Sequence, residues 1–317
     1  MTEVAEEWAR DQLDVLDVTP VRDRPWSSVW SLDTPTGRWW LKENRAGTTH
    51  ETRLLALLAA SGTDLVPSVR VHPDRPWALV ADAGTSLRQL AAEAAPADLL
   101  DFWCGLLPRY GELQRRLPVA DLRPTGVPDL SADRLPAVYA ELLAEPGWFT
   151  PARTPGLDAA QRRAVAGCGP ALDAAARALR QARSATLQHD DLHSGNVFAP
   201  ALAAPAAARV IDWGDASLDH PFGTLLVTLD VLAAELGLDR DSGPLRRVRD
   251  AYLEGWRTGG ASRAGLLDEL DLVLRTAPLV RATSWARALG EPSDEPAYAD
   301  AVAEWLLRLA RALGVAP

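Results

Sequence analysis

"LQHDDLHSGNVFAPALAAPAAARVIDWGD", residues 187–215, contains the pattern H-x-D-x4-N in His189, Asp191 and Asn196. Asp212 follows sixteen residues after the asparagine, behind the apolar pair Val210-Ile211. "NVFA" and "RVID" are short apolar pieces on either side of an Ala/Pro turn, a pattern that predicts a small hairpin with Asn196 and Asp212 side by side at its open end. An amide oxygen and a carboxylate converging there form a hard-oxygen pair suited to Mg²⁺. Asp191, a few residues away, stands free to accept a proton from an incoming hydroxyl.

Two other readings of the same residues stay open. The segment is also an acidic polar turn punctuated by Gly195. Alternatively, His189 and His193 are four apart, and on a helix they would share a face near Asp190, the arrangement of a zinc-dependent hydrolase. Against helical geometry, "SATLQ" leads in as a strand and Ser194-Gly195 breaks the chain on the other side. Only His50, His72 and His220 remain to give a third nitrogen ligand.

The rest of the chain frames this segment. Its 317 residues suffice for two lobes of ordinary size, each with its own core. A hydrophobic fraction of 47% with 24% charged residues is that of a globular protein. The net charge of −10 argues against a nucleic-acid or anionic-membrane partner, because no basic stripe meets phosphate backbones. Cys104 and Cys168 are isolated, with no partner at metal-ligand or redox spacing, which fits a reduced cytoplasmic setting. No signal-peptide layout or membrane-spanning apolar run is visible.

The texture changes once along the chain. From about Val18 to Ala83 there are strand-like pieces, "SSVWSL", "RWWLKE" and "WALVADAG", with "TPTG" as a turn. The first two predict a hairpin in which Trp30 and Leu32 face Trp39 and Leu41. In "THETRLLALLAASG", Leu54, Leu55, Leu57 and Leu58 fall on one helical face, and Gly62 follows as a stop. Beyond Thr85 the sequence is long, Ala- and Leu-rich and helical. The expectation is an α+β chain with a small mixed lobe over residues 1–83 and a larger helical lobe over residues 84–317.

Lys42, in "GRWWLKEN", is the only lysine; the other 32 basic residues are arginine. It is either a chance survivor on a solvated strand or a residue for which arginine does not serve.

"HDDLHSGN" followed by "IDWGD", with an earlier strand lysine and a helix-opening glutamate, resembles the aminoglycoside phosphotransferase family, kinases of small molecules with a protein-kinase-like two-lobed fold. The resemblance runs in order through most of the chain: "RPWSSVWSL" as the nucleotide loop, Lys42, Glu51, "LVADAG" as the hinge, then the two quoted motifs. It implies ATP or GTP as phosphoryl donor, Mg²⁺ held by Asn196 and Asp212, Asp191 as catalytic base and His189 as a brace of the catalytic loop. His193 stands where it would touch the transferring phosphate. The hinge, Val80 and Ala81 among its residues, would hold the adenine. A small-molecule alcohol would be the acceptor: an aminoglycoside, another antibiotic, a sugar or an amino-alcohol metabolite. A non-catalytic nucleotide-binding regulator would keep the same fold.

The departures from the family pattern shape further expectations. Asp190 replaces the usual glycine before the catalytic aspartate, and is expected to point away, since only Asp191 stands five before Asn196. Residues 22–29 contain no glycine, so the phosphates would be met by Ser27 and Ser28 through hydroxyls and backbone amides. Strand alternation sends Glu43 to the face opposite Lys42, so Glu51, which opens the following helix, is the expected partner of the lysine. Trp256, Trp285 and Asp215 are candidates for a cleft that takes a ring or a cation, or else pack helices, and Arg281 and Arg287 would favour an acidic acceptor. The oligomeric state is not legible in the sequence.

Overall fold

The computed structural model of the chain describes residues 2–315. Helix α1 (Glu3–Gln12) is followed by β1 (Asp17–Arg24), β2 (Ser27–Thr34) and β3 (Gly37–Asn44), then α2 (His50–Ala60), β4 (Val69–Val71) and β5 (Trp77–Ala81). The five strands form one antiparallel sheet in the order β1-β2-β3-β5-β4. The expected hairpin is β2–β3, with Trp30 opposite Leu41 and Leu32 opposite Trp39. Because side chains alternate along a strand, each face of this sheet buries a different set. Trp30, Leu32, Leu41 and Leu79 pack with Ala5 and Ala9 of α1. On the other face Ala78 packs with Leu54, Leu55 and Leu58 of α2, while Leu57 is only partly buried. The helix stops before Gly62, whose φ of 70° lies in the left-handed region that glycine enters freely.

The larger lobe begins with β6 (Thr85–Ser86) and α3 (Leu87–Ala91), and continues through α4 (Pro96–Arg116), α5 (Val119–Leu122), α6 (Leu135–Leu143), α7 (Ala159–Ala166) and α8 (Gly169–Leu179). Four short strands follow: β7 (Thr186–Gln188), β8 (Val197–Ala199), β9 (Arg209–Val210) and β10 (Ser217–Asp219). Four helices close the chain: α9 (Leu225–Leu236), α10 (Gly243–Glu254), α11 (Arg263–Leu289) and α12 (Ala301–Ala312). β8 and β9 pair antiparallel, as the apolar pieces around the Ala/Pro turn predict, and β6 extends them into a three-stranded ladder. Trp103 and Tyr110 of α4 and Trp213 beyond β9 are fully buried and seat this ladder on the helices.

The outcome is a two-lobed, protein-kinase-like α+β fold. Its lobes meet where residues 46–48 lie against α11: a Cβ on Gly47 would fall 2.0 Å from the backbone oxygen of Arg287, so only glycine permits the approach. Trp256 does not reach the cleft. It is buried against Phe222 and Tyr252, with ring centroids 5.9 and 6.1 Å away, and packs helices instead.

Candidate active site

Lys42 projects from β3 toward α2, where the first turn carries the buried Glu51. Its Nζ lies 2.7 Å from a Glu51 carboxylate oxygen and 2.6 Å from one of Asp212. Burial by itself favours the neutral amine, but the two adjacent carboxylates overcome it and hold the ammonium charged beyond the usual lysine range. The same ammonium holds Asp212 below the usual carboxylate range. Glu43 lies on the opposite face, near the Thr2 amide, and does not reach the lysine.

The loop after β7 separates the two neighbouring aspartates. Asp190 and Asp212 are the non-glycine residues at positive φ, 61° and 64°, among the described residues. Such backbone is costly for side chains other than Asn and Asp. At Asp190 the turn drives the carboxyl inward, where the Ser217 hydroxyl donates to it, and burial pushes its pKa up to about 6. Asp191 instead faces the cavity. One of its carboxylate oxygens meets Arg281 Nη2 at 3.1 Å, and the other meets His193 Nε2 at 3.3 Å and Asn196 Nδ2 at 3.2 Å. Burial would raise this acid, but the Arg281 guanidinium and the His193 hydrogen bond hold it well below the usual carboxylate range.

The histidines hold backbone. His189 is fully buried, and burial keeps it neutral. The Asp191 N–H donates to its Nδ1, so its Nε2–H donates to the Ile211 carbonyl at 2.9 Å and ties the loop to the segment bearing Asp212. His193 Nδ1 accepts from the Gly195 N–H at 2.9 Å. A Cβ on Gly195 would lie 2.8 Å from that ring. The two imidazoles thus share no face, and among the described residues no three His, Cys, Asp or Glu side chains converge as metal ligands. This removes the zinc-hydrolase reading.

A hard cation fits better. Asn196 turns its NH₂ onto the carbonyl and carboxylate of Asp191, at 2.9 and 3.2 Å, which leaves its carbonyl oxygen without a protein donor among the described residues. Asp212 gives one oxygen to Lys42 and keeps its carboxylate 35% exposed. Two hard oxygens that line one cavity of 340 Å³ suit Mg²⁺, which typically takes one or two protein ligands and completes its shell from phosphates and water.

Other expected residues are placed differently. Ser27, opposite Asn44, lies on the sheet face of Lys42, but Ser28, opposite Glu43, lies on the far face. Its hydroxyl donates to Asp23 at 2.5 Å and accepts from Arg45 at 2.9 Å, so the hydroxyl is turned away from the Lys42 side. Val80 and Ala81 end β5, yet the Ala81 N–H donates to the Ser68 carbonyl at 2.8 Å. The next amides are occupied too, Asp82 with Arg38 and Gly84 with the Asp82 carboxylate, and Ala83 N–H alone in this run has no partner among the described residues. Trp285 and Asp215 do line the cavity.

Arg281 is not available for an acidic acceptor. It is 6% exposed and donates to Asp215 at 2.8 Å and to the Asp190 carbonyl at 2.9 Å besides pairing with Asp191. Arg287 is directed to the carbonyls of Gly47, Gly214 and Asp215. A single arginine in the apolar run "APLVRATSW" was the signal that Arg281 is held by buried acids.

The family model of the phosphotransferase enzyme family (APH) matches residues 17–266. No curated protein matches the chain. Several solved structures do. The macrolide 2'-phosphotransferase MphH from Brachybacterium faecium is 19% identical with a TM-score of 0.60, covering 95% of this chain and 98% of its own. The ethanolamine kinase of Plasmodium vivax is 13% identical with a TM-score of 0.65, over 96% of this chain and 85% of that one. Amicoumacin kinase hAmiN, in complex with AMP-PNP, Ca²⁺ and Ami, is 13% identical with a TM-score of 0.62, over 98% and 94%. At such identities the likeness is one of fold.

Proposed function

This chain belongs to the phosphotransferase enzyme family, and from that premise we infer that it transfers the terminal phosphoryl group of ATP or GTP to a hydroxyl of a small molecule. The observation that carries this reading is that Lys42, held by Glu51, pairs with Asp212, which lines one cavity together with Asp191 and Asn196. Lys42 binds the donor's phosphates, oriented by Glu51. Asp191 accepts a hydrogen bond from the acceptor hydroxyl, aligns it in line with the phosphoryl group and takes its proton as the new P–O bond forms and the bond from the terminal phosphorus to the departing nucleoside diphosphate breaks. Asn196 and Asp212 would hold Mg²⁺, which neutralises developing charge when bound. His189 keeps the catalytic loop in register with Asp212, and His193 positions Asp191 and faces the transferring phosphate. Residues 1–83 act as the nucleotide lobe and 84–317 as the acceptor lobe, with the nucleobase held at the hinge beyond β5, where the Ala83 amide has no partner among the described residues. Ser27 is the serine on the phosphate side of the sheet.

The acceptor belongs to the range named for the structural neighbours, an antibiotic or a small amino alcohol. The test is incubation of the protein with Mg-ATP or Mg-GTP and hydroxylated antibiotics, sugars and amino alcohols, read by mass spectrometry. The expected result is a product heavier by one phosphoryl group. Nucleotide binding with no transfer to any acceptor class would favour the non-catalytic regulator instead.

A further inference from the structure

The β1–β2 hairpin spans the mouth of the cavity without a glycine from residue 22 to residue 29, so it lacks the closely approachable backbone by which a glycine-rich loop cradles phosphate. The sheet decides what it presents instead. Cross-strand partners in an antiparallel ladder share a face, and the pairs Arg22–Val29, Val29–Lys42 and Lys42–Ala78 form one row across four strands. A bulge sets this phase: Pro20 pairs with Trp30 but Arg22 pairs with Val29, leaving Val21 as the extra residue. Without that insertion Arg22 would oppose Ser28 and project from the outer face. With neighbouring strands about 4.8 Å apart, Arg22 rises roughly 10 Å from Lys42 on the same side.

Arg22 lines the cavity with Asp191, Asn196 and Asp212, and among the described residues its guanidinium has neither an ion pair nor a side-chain hydrogen bond. The other arginines of the lining are engaged, Arg281 with Asp191 and Asp215 and Arg88 with Glu235 at 3.2 Å, and the nearby Lys42 is held by Glu51 and Asp212. The hairpin is also fixed in place. Trp26 at its tip packs edge-on against Trp285 and Tyr298, centroids 5.8 and 5.4 Å away, and Arg24 donates to the Tyr298 hydroxyl at 2.5 Å.

We propose that Arg22 binds the polyphosphate of the nucleotide, its side chain supplying the charge and donors that this hairpin's backbone does not. The proposal rests on the phosphotransferase reading of the site. Guanidinium suits the role because its planar fork takes two phosphate oxygens at once.

The test is calorimetric titration of wild type, Arg22→Gln, Arg22→Lys and the exposed-site control Arg75→Gln with Mg-ATP, Mg-GTP and the corresponding nucleoside monophosphates. Arg22→Gln should weaken triphosphate binding about ten- to a hundredfold, the range of one charge-assisted contact, and leave the monophosphate nearly unchanged. Arg22→Lys should fall between, and Arg75→Gln should match wild type. Triphosphate affinity of Arg22→Gln within about twofold of wild type, or an equal loss for tri- and monophosphate, overturns the role of Arg22 and leaves the site reading standing. Failure of wild type to bind either triphosphate overturns both.

Discussion

Lys42 is the residue at which sequence bias and site chemistry disagree most. Its Nζ lies within 2.7 Å of Glu51 and 2.6 Å of Asp212, a space that accepts a compact ammonium and not a planar fork. Lys42→Arg should fold normally and lose about ten- to a thousandfold in kcat/KM, roughly 1.4–4 kcal/mol, measured with whichever acceptor is phosphorylated. A variant within about threefold of wild type would mean that position 42 needs only a positive charge. The two aspartates should separate as sharply. Asp191→Asn should lower turnover by about a hundredfold or more with nucleotide affinity nearly unchanged, and Asp190→Asn should be much milder. Asp190 also predicts a pH dependence. Its folded pKa of about 6 lies above the ordinary value of 3.8, so its contribution to stability is complete below the ordinary value and is lost as pH rises through 6. Asp190→Asn should therefore gain stability relative to wild type between about pH 4 and pH 7, by up to about 3 kcal/mol in urea unfolding. A gain that shrinks with rising pH would show the buried carboxylate to be stabilised by its partners as an ion.

The decisive element is α11. It approaches the small lobe at Gly47, braces Asp191 and Asp215 through Arg281, and presents Trp285 to the tip of the β1–β2 hairpin. Gly47→Ala sets a methyl group against the carbonyl of Arg287, where neither backbone can yield, and should cost about 2–4 kcal/mol in unfolding experiments. An unchanged midpoint would mean that the two lobes separate there freely. Arg281→Met leaves two acids without their cation. It should reduce kcat by about tenfold or more while Mg-ATP affinity stays within about threefold, and Arg281→Lys should recover part of the rate. A parallel loss of nucleotide affinity would make Arg281 a residue of the fold and not of base alignment. The short elements of the site were legible because their signals are local: the β2–β3 hairpin from alternation and a turn, α2 from its leucines and Gly62, β8–β9 from two apolar pieces around alanine and proline. The face on which the Ser28 hydroxyl lies is not legible in the same way, because it needs the register of its pairing with Glu43, which no single strand reveals.

For the whole molecule, the two-lobed arrangement predicts that nucleotide and metal stabilise the protein together. Mg-ATP or Mg-GTP at about a hundredfold above Kd should raise stability by roughly 2.7 kcal/mol in a thermal-shift assay, and chelating the metal should remove part of that gain. Equal stabilisation with and without Mg²⁺ would argue that Asn196 and Asp212 do not act as a cation site. No helix among the described residues is long and apolar enough to cross a membrane. By itself the sequence determined the strand-rich and helix-rich halves, the H-x-D-x4-N segment with its later aspartate, and the choice of Glu51 over Glu43 for Lys42. Each of these follows from periodicity, spacing or alternation within a few tens of residues. Only the tertiary structure decided that Asp212 joins that ion pair, that Arg281 comes from a distant helix to hold Asp191, and that a bulge turns Arg22 inward. The physical reason is that a buried charge is tolerated only beside its complement, and the complement here comes from chain 90 residues away, from Arg281 to Asp191, or 170 residues away, from Lys42 to Asp212.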